Sequence, residues 1–360
     1  MRYRVDPDIA IASTIDSAFY RDEESFALAR ERIFARSWQW IGDLEDVAAA
    51  GSLSPRALLG GLIDEPLLLS RDREGTLRCL SNVCTHRGNI LVTEARRGVD
   101  QIRCGYHSRR FDLAGRMTFM PEFGQAKNFP SAADNLPRVP FAEWAGHGFA
   151  AVDPAAPLEA FLGDMQQRIA WLPVQRFRAD AAASRDYVVR AHWALYVENY
   201  LEELHIPFVH PGLSKVVDCA SYAHELFRYS SVQLALAKET EVGFDPPPGA
   251  PDHGRRVGAY YWWIFPNLML NFYPWGLSLN RVVPEAIDRT RVEFRAYVGD
   301  EAKRGKGAGG ALHEVELEDE AVVEAVQRGV RSRFYRHGRY SPTRERGTHH
   351  FHRLLCEFLS

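Results

Sequence analysis

CTHRG at residues 84–88 and CGYHSRRF at residues 104–111 are the stretches that decide how this chain is read. Each supplies one thiolate and one imidazole, Cys84 with His86 and Cys104 with His107, and seventeen residues separate His86 from Cys104. Four such groups at two loop tips suit a metal centre. LRCLSNV at 77–83 and QIRCGYH at 101–107 read as short strands leading into the two clips, and Asp112-Leu-Ala-Gly115 is a turn signal, so the clips sit on hairpins.

Two centres fit this ligand set. One is a closed tetrahedral zinc site, which two Cys and two His can fill. Zinc clips, however, usually pair Cys with Cys and His with His, whereas each clip here is mixed. Mixed clips suit a two-iron, two-sulfur cluster of the Rieske kind, in which one iron takes two thiolates and the other two imidazoles. Neutral imidazoles make that cluster less negative and raise its potential, which suits accepting single electrons from a reductase.

The residues then resemble the Rieske non-heme iron oxygenases, whose cluster domain carries C-x-H-R-G and, about seventeen residues on, C-x-Y-H-G-W. Cys84, His86, Arg87, Gly88, Cys104, Tyr106 and His107 match that pattern. Ser108 and Arg109 depart from it, standing where the family usually has a small residue and a tryptophan.

At 360 residues the length suits two domains, and 46% hydrophobic with 25% charged residues is ordinary for a globular protein with a substantial core. A formal charge of −3 gives no electrostatic case for nucleic acid or membrane surfaces. No apolar run approaches the roughly twenty residues of a membrane span, and MRYRVDPDIA lacks a signal-peptide core. The expected location is the cytoplasm. Cys79, Cys219 and Cys356 then read as buried small hydrophobes rather than disulfide partners.

Residues 22–36, DEESFALARERIFAR, place Phe26, Arg30, Ile33 and Phe34 at helical spacing behind acidic residues suited to a helix start. The expected division is a helical lead-in over 1–40, an antiparallel β domain carrying the clips over 41–153, and a catalytic domain over 154–360. In the last, a helical stretch at 158–172 precedes strands such as RDYVVRAHW, GAYYWWIF, LMLNFYP, LSLNRVVP and TRVEFRAYV. A helix from about Glu318 to Tyr335 closes the chain. The fold class is α+β. Residues 245–254, DPPPGAPDHG, and 301–310, EAKRGKGAGG, read as loops; Gly305, Gly307 and Gly310 spell a G-x-G-x-x-G that lacks its βαβ unit and reads as a solvated loop. His349, His350 and His352 read as packing and surface residues.

A second constellation lies in ENYLEELHIPFVHP, residues 198–211. On a helix Asn199, Glu202 and His205 share roughly one face. His210 would lie about 140° from His205 on a straight helix, and Pro207 disturbs the turn between them. Two His and a carboxylate with open positions describe the facial triad of non-heme Fe(II) oxygenases. In LEDEAVVEAVQRGV, residues 317–330, Asp319 lies in line with Val323, Val326 and Val330, so it extends an inward stripe and needs a partner such as a metal; Glu318 and Glu316 are the alternatives.

The same segment matches the family's D/E-x2-H-x4-H pattern at Glu202, His205 and His210. The resemblance thus implies a mononuclear Fe(II) held by His205, His210 and a carboxylate near the C-terminal helix. It implies a helix-grip-like catalytic domain with a curved antiparallel sheet, and an Asn199 amide near the iron. It also implies that Glu202, where the family usually has Asp, bridges to His107 of a neighbouring subunit in a homotrimer.

Two readings follow. The first is a terminal mono- or dioxygenase that draws electrons from a separate NAD(P)H-dependent reductase, directly or through a ferredoxin, and uses O2 to hydroxylate or oxidatively dealkylate a small aromatic or quaternary-amine substrate. The second is a non-catalytic Rieske electron carrier with a binding domain. Tyr260–Trp263, Phe265, Phe272, Tyr273 and Trp275 would ordinarily fill a core, but on a cavity wall they stack on rings or cage a quaternary ammonium. The ENYLE-x-x-H-x-P-x-x-H-P context looks more like the choline-, betaine- and carnitine-oxidising branch than the naphthalene dioxygenase branch.

Overall fold

Short strands broken by Gly, Pro and Asp turns form three small antiparallel sheets in the unit Ala35–Ala155 of the computed structural model, whose described residues are 3–210, 212, 223–310 and 312–360. The strands are β1 Gln39–Asp43, β2 Ser52–Leu58, β3 Glu65–Arg71, β4 Leu77–Ser81, β5 Ile102–Arg103, β6 Arg110–Phe111, β7 Met117–Phe119, β8 Phe141–Trp144 and β9 His147–Ala150. They pair as β2-β3-β4, β1-β9-β8 and β5-β6-β7. Leu53, Leu68, Leu80, Ile102 and Phe111 pack with Cys84 and Cys104 into one apolar cluster, so the clips stand on a core and not on a free loop. The expected turn is present: Asp112 Oδ1 accepts the amides of Ala114 and Arg116 at 3.0 and 2.8 Å.

The other unit comprises Met1–Phe34 and Ala156–Ser360. The expected N-terminal helix forms as α1, Glu23–Ala29, and continues as a π-helical turn at Arg30–Phe34 that buries Ile33 and Phe34. The long β runs form one seven-stranded antiparallel sheet ordered β10-β16-β15-β14-β13-β12-β11. Its strands are β10 Arg178–Val189, β11 Ala223–Leu226, β12 Ser230–Leu236, β13 Val257–Ile264, β14 Leu268–Tyr273, β15 Gly276–Ala286 and β16 Arg289–Val298. Against it stand α2 Glu159–Arg168, α3 Trp193–Tyr200, α4 Ile206–Val209, α5 Leu312–Gly329 and α6 Arg346–Leu359. The α+β expectation therefore holds.

Register decides which aromatics can meet a ligand. Gln233 pairs with Tyr261 and Tyr261 with Asn271, and Tyr273 lies two residues beyond Asn271, so Gln233, Tyr261 and Tyr273 share one face. Tyr260, Trp262, Trp263, Phe265 and Phe272 are buried elsewhere as core.

Three expectations are corrected. The helix near 318–335 runs from Leu312 to Gly329, and α6 closes the chain instead; its imidazoles His349 and His352 are buried beside an apolar stripe of Phe351, Leu354, Leu355 and Phe358. Along α5 Val323 and Val330 are buried but Val326 is exposed, and Glu316 and Gln327 complete the inward face. The glycine-rich loop at 301–310 is not wholly solvated. Ala308 and Gly309 are buried, and a Cβ on Gly309 would meet Trp275 Nε1 at 2.4 Å, so only glycine allows this approach to the sheet. Among the former cysteine readings, Cys79 is buried, Cys356 is half-buried and Cys219 lies outside the described residues. No helix among the described residues is long and apolar enough to cross a membrane.

The proline-rich loop at 245–254 is pinned. Asp252 accepts a two-pronged ion pair from Arg168 of α2, at 2.8 Å from Nε and 2.7 Å from Nη2, and both side chains are buried. Asp252→Asn would leave the guanidinium short of charge. Because Glu225 still holds Arg168 Nη1 at 2.7 Å, the expected loss in urea unfolding is about 3 kcal/mol, the lower end for a broken buried pair.

Candidate functional site

The two clips adopt the same backbone turn. Cys84 N donates to Asn89 O and Cys104 N to Arg109 O, at 2.8 and 2.9 Å, while Gly88 N and Ser108 N return to Cys84 O and Cys104 O at 3.0 and 3.1 Å. The fifth residue of each turn lies at positive φ, +69° for Gly88 and +59° for Ser108. Glycine takes that conformation freely, whereas serine is held there at a cost of roughly 1–2 kcal/mol. The Arg103 guanidinium donates to Ser108 Oγ at 2.9 Å and steadies it.

These turns gather the four expected ligands. The sulfurs of Cys84 and Cys104 are buried and face one another, and the rings of His86 and His107 lie 4.8 Å apart. Both imidazole Nδ1 atoms are buried and neither has a hydrogen-bond partner. Two orphaned imidazole nitrogens beside two buried thiols form a donor set that a two-iron cluster would satisfy. Asn89 Nδ2 lies 3.6 Å from Cys104 Sγ, and burial of Cys104 is outweighed by the Tyr106 and His107 amides, which hold its thiol below the ordinary value. Burial, then the charges of His107, Arg87 and Arg109, hold the His86 imidazole low, in the neutral form that binds metal.

Arg109, one of the two departures from the family pattern, is 2% exposed. Its Nη2 donates to Asp134 Oδ1 at 2.7 Å and to Asp134 O at 3.1 Å, and its guanidinium lies over the rings of Phe111 and Phe129 at 5.7 and 5.6 Å.

The second constellation is assembled differently from the expectation. Helix α3 is N-capped by His192, whose imidazole is pushed down to about 3 by burial, so its neutral Nδ1 accepts the Ala194 amide. The helix ends at Tyr200 instead of continuing through His205. There the Glu202 carboxylate captures the amides of Leu204 and His205, a local alternative to the helical ladder. The chain restarts as α4, with Pro207 in the first turn, where its missing N–H is no loss. His205 and His210 thus flank a single turn, with ring centroids 5.1 Å apart. An interruption, rather than a proline bend, brings them together.

Helix α5 supplies the carboxylates. Asp319 Oδ1 lies 2.9 Å from His210 Nε2 and 3.5 Å from His205 Nε2, and the three candidate ligand atoms all fall within 4.8 Å of one another. The opposite ring nitrogens are held as well: His205 Nδ1 lies 2.6 Å from Glu202 Oε1 and His210 Nδ1 2.6 Å from Glu318 Oε2. A proton on each Nδ1, donated to these carboxylates, leaves both Nε2 lone pairs aimed at Asp319. Burial alone would lower the His210 pKa, but Asp319 and then Glu318 raise it above the ordinary value, so the cluster favours positive charge. Two imidazoles and one carboxylate with the outer ring nitrogens pinned could hold a divalent iron. Of the three acids considered, Asp319 is central and Glu318 stands behind His210. Glu316 faces away to accept from the Tyr196 hydroxyl at 2.6 Å, and burial pushes it up to about 8. The sequence pattern favoured Asp319 over Glu318 as the ligand, but no sequence signal gave Glu318 its role behind His210, since only the fold shows that one imidazole is gripped from both sides.

The donors open into a cavity of about 110 Å3, walled by Asn199, Tyr200, Tyr261, Tyr273, Ala308 and Leu312 among others. Its size suits a small molecule. Tyr200 ties the end of α3 to the sheet, donating from its hydroxyl to Asn271 Oδ1 at 2.6 Å and accepting from Gln233 Nε2 on its carbonyl at 2.6 Å.

Residues 37–130 match the family described as Rieske [2Fe-2S] domain, and residues 170–360 match ring hydroxylating alpha subunit (catalytic domain). The chain is 30% identical to the carnitine monooxygenase oxygenase subunit of Escherichia coli (strain K12), over 96% of this chain and 94% of that one. It is 28% identical to the chloroplastic choline monooxygenase of Arabidopsis thaliana, over 97% and 84% respectively. In fold it resembles a quaternary ammonium Rieske monooxygenase, with a TM-score of 0.78 and 24% identity over 99% of this chain and 97% of that one. Naphthalene 1,2-dioxygenase gives a TM-score of 0.71 at 18% identity over 97% and 92%.

Glu318→Ala is expected to weaken binding of Co(II), a spectroscopic stand-in for Fe(II), by about 10–100-fold, as for other residues that orient a ligating imidazole. Glu318→Gln, which keeps an acceptor for Nδ1–H, should lose less; titration of the cobalt absorption bands measures both.

Proposed function

Because this chain belongs to the Rieske-type ring-hydroxylating oxygenases, as their alpha subunit, we propose that it oxidises a small quaternary ammonium compound at an iron held by His205, His210 and Asp319. It is a terminal oxygenase with a [2Fe-2S] Rieske cluster and a mononuclear iron. The observation that carries the residue assignment is the convergence of His205 Nε2, His210 Nε2 and Asp319 Oδ1 at the mouth of the cavity. The electron-carrier alternative is not favoured, since a carrier has no use for this second donor set.

When bound, the iron supplies the activation of O2. The remaining work falls to side chains. Glu202 orients His205, and its second oxygen is anchored by the backbone of its own turn, so the imidazole is fixed before any ligand arrives. Glu318 does the same for His210. Cys84, His86, Cys104 and His107 hold the cluster, and Asn199 places its amide on the cavity wall. Electrons come one at a time from a separate reductase; the route runs from His107 of the partner subunit through Glu202 to His205 in a homotrimer. Two electrons and two protons balance the insertion of one oxygen atom into a C–H bond and release of the other as water.

Support for the substrate class comes from the cavity and from the relatives' names. Tyr261 and Tyr273 meet edge to face with centroids 5.9 Å apart, offering electron-rich ring surface where a methylated ammonium gains a cation–π contact. Hydroxylation of a carbon on the ammonium nitrogen gives an unstable hemiaminal-type product that releases an amine and a carbonyl compound.

With NADH, a generic reductase and a panel of substrates, oxygen-dependent consumption of a carnitine-, choline- or betaine-like compound is expected; turnover of naphthalene alone would overturn the substrate class. The purified protein should hold about three iron atoms per chain, two of them in the cluster. His205→Ala/His210→Ala should lower this to about two while the reduced-state Rieske paramagnetic signal persists. Glu202→Ala, reconstituted with excess Fe(II) until it holds the parent's iron content, should still lose most turnover; a fully loaded variant with the parent's rate would remove Glu202 from the electron route.

A further inference from the structure

Asp134 touches both ligand clips. Its carbonyl accepts from Thr85 Oγ1, between Cys84 and His86, at 2.7 Å, and from Arg109 Nη2, just beyond His107, at 3.1 Å. Its carboxylate takes Arg109 Nη2 on Oδ1 at 2.7 Å and the Ser131 amide and hydroxyl on Oδ2 at 2.7 and 3.0 Å. The Arg109 peptide is itself part of the second clip, accepting Cys104 N at 2.9 Å. From the guanidinium an aromatic path returns to the first clip: Phe129 packs on Phe123 at 4.8 Å, and Phe123 on His86 at 5.5 Å.

A buried guanidinium is poor stabilising material here. It has one carboxylate partner, and its Nε is buried without an acceptor. An apolar ring of similar size would fill the same space without that desolvation. The placement makes sense through the cluster. Reduction adds one electron and hence one negative charge between the clips; a nearby cation favours the reduced state, and a nearby carboxylate opposes it. No bond or proton at the pair changes in that step. Arg109 is close enough to contribute to the electrostatics of Cys84 and His86.

We propose that the buried Arg109–Asp134 ion pair is the brace that fixes the two clips against one another and sets the reduction potential of the cluster they hold. It is a positioning pair, acting through the ligands. The inference rests on the cluster assignment above, and the parent protein tests that assignment separately: absence of a reduced-state Rieske signal in the parent would sink the cluster, not the brace.

The test is a dye-mediated redox titration of the full-length holoprotein, followed by visible circular dichroism. At a fixed solution potential near the parent's midpoint, Arg109→Met should lower the ratio of reduced to oxidised cluster about tenfold, and Asp134→Asn should raise it about tenfold, each a shift of about 59 mV for a one-electron couple. The double variant, which removes both charges, should return to within about threefold of the parent, a residue of about 28 mV on the same scale. Chelator should strip iron faster from each single variant than from the parent. If Arg109→Met does not retain its cluster, Arg109→Lys, which keeps the charge, should hold the parent's ratio while Asp134→Asn still raises it. Unchanged ratios in the variants, or shifts of Arg109→Met and Asp134→Asn in the same direction, would overturn the proposal.

Discussion

The approach of one carboxylate oxygen to two imidazoles organises the C-terminal unit. Asp319 Oδ1 can lie 2.9 Å from His210 Nε2 and 3.5 Å from His205 Nε2 only if the segment after α3 and the first turns of α5 are brought together. The sheet does this by supporting both. Tyr200 binds the end of α3 to β12 and β14, and Gln327 of α5 accepts the His192 amide at 2.7 Å, beside the start of α3. Against burial, the carboxylates of Asp319 and Glu318 raise the affinity of His210 for a proton, and the same surplus of negative charge favours a bound cation. The surrounding packing holds these side chains in place until the charge is balanced.

Much of this was legible in the sequence where chemistry is concentrated in residue type. Mixed Cys/His clips announce a cluster because few other arrangements use one thiolate and one imidazole per loop. The strands were legible because long runs such as GAYYWWIF and TRVEFRAYV are rich in aromatic and β-branched residues. What failed to show was whatever depends on side chain meeting backbone or on distant segments meeting. Residues 194–205 contain good helix formers, yet the helix stops at Tyr200 because the Glu202 carboxylate takes the amides of Leu204 and His205. Helix α6 carries a regular inward stripe, Phe351, Leu354, Leu355 and Phe358, and it escaped notice because the run of histidines at its start drew the reading to packing and surface. Glu318 and Asp319 are neighbours of like chemistry, and their different duties emerge only from which nitrogen of His210 each meets.

The two metal regions solve one problem in two ways. In the clips, backbone amides and an ion pair hold ligands that are already close in sequence, and the turn geometry is shared even where Ser108 replaces the residue best suited to it. At His205, His210 and Asp319, donors over 100 residues apart depend on carboxylates behind the imidazoles, since no single loop can fix them. Rigidity is local in the first case and tertiary in the second. Destabilising the sheet would therefore loosen the His205, His210 and Asp319 cluster while leaving the clip turns intact.

The packing behind the cavity wall has an implication for catalyst redesign. Ala235, Ala259, Ala296 and Ala308 surround Tyr273 and Trp275, so small side chains make the room that the two stacked rings occupy, with centroids 5.5 Å apart. Ala308 alone of these four also lines the cavity, on the loop that leads into α5 and so to Asp319. It is thus a dial for substrate girth: a longer aliphatic side chain there narrows the chamber, and libraries seeking bulkier or slimmer substrates can vary it without replacing His205, His210 or Asp319.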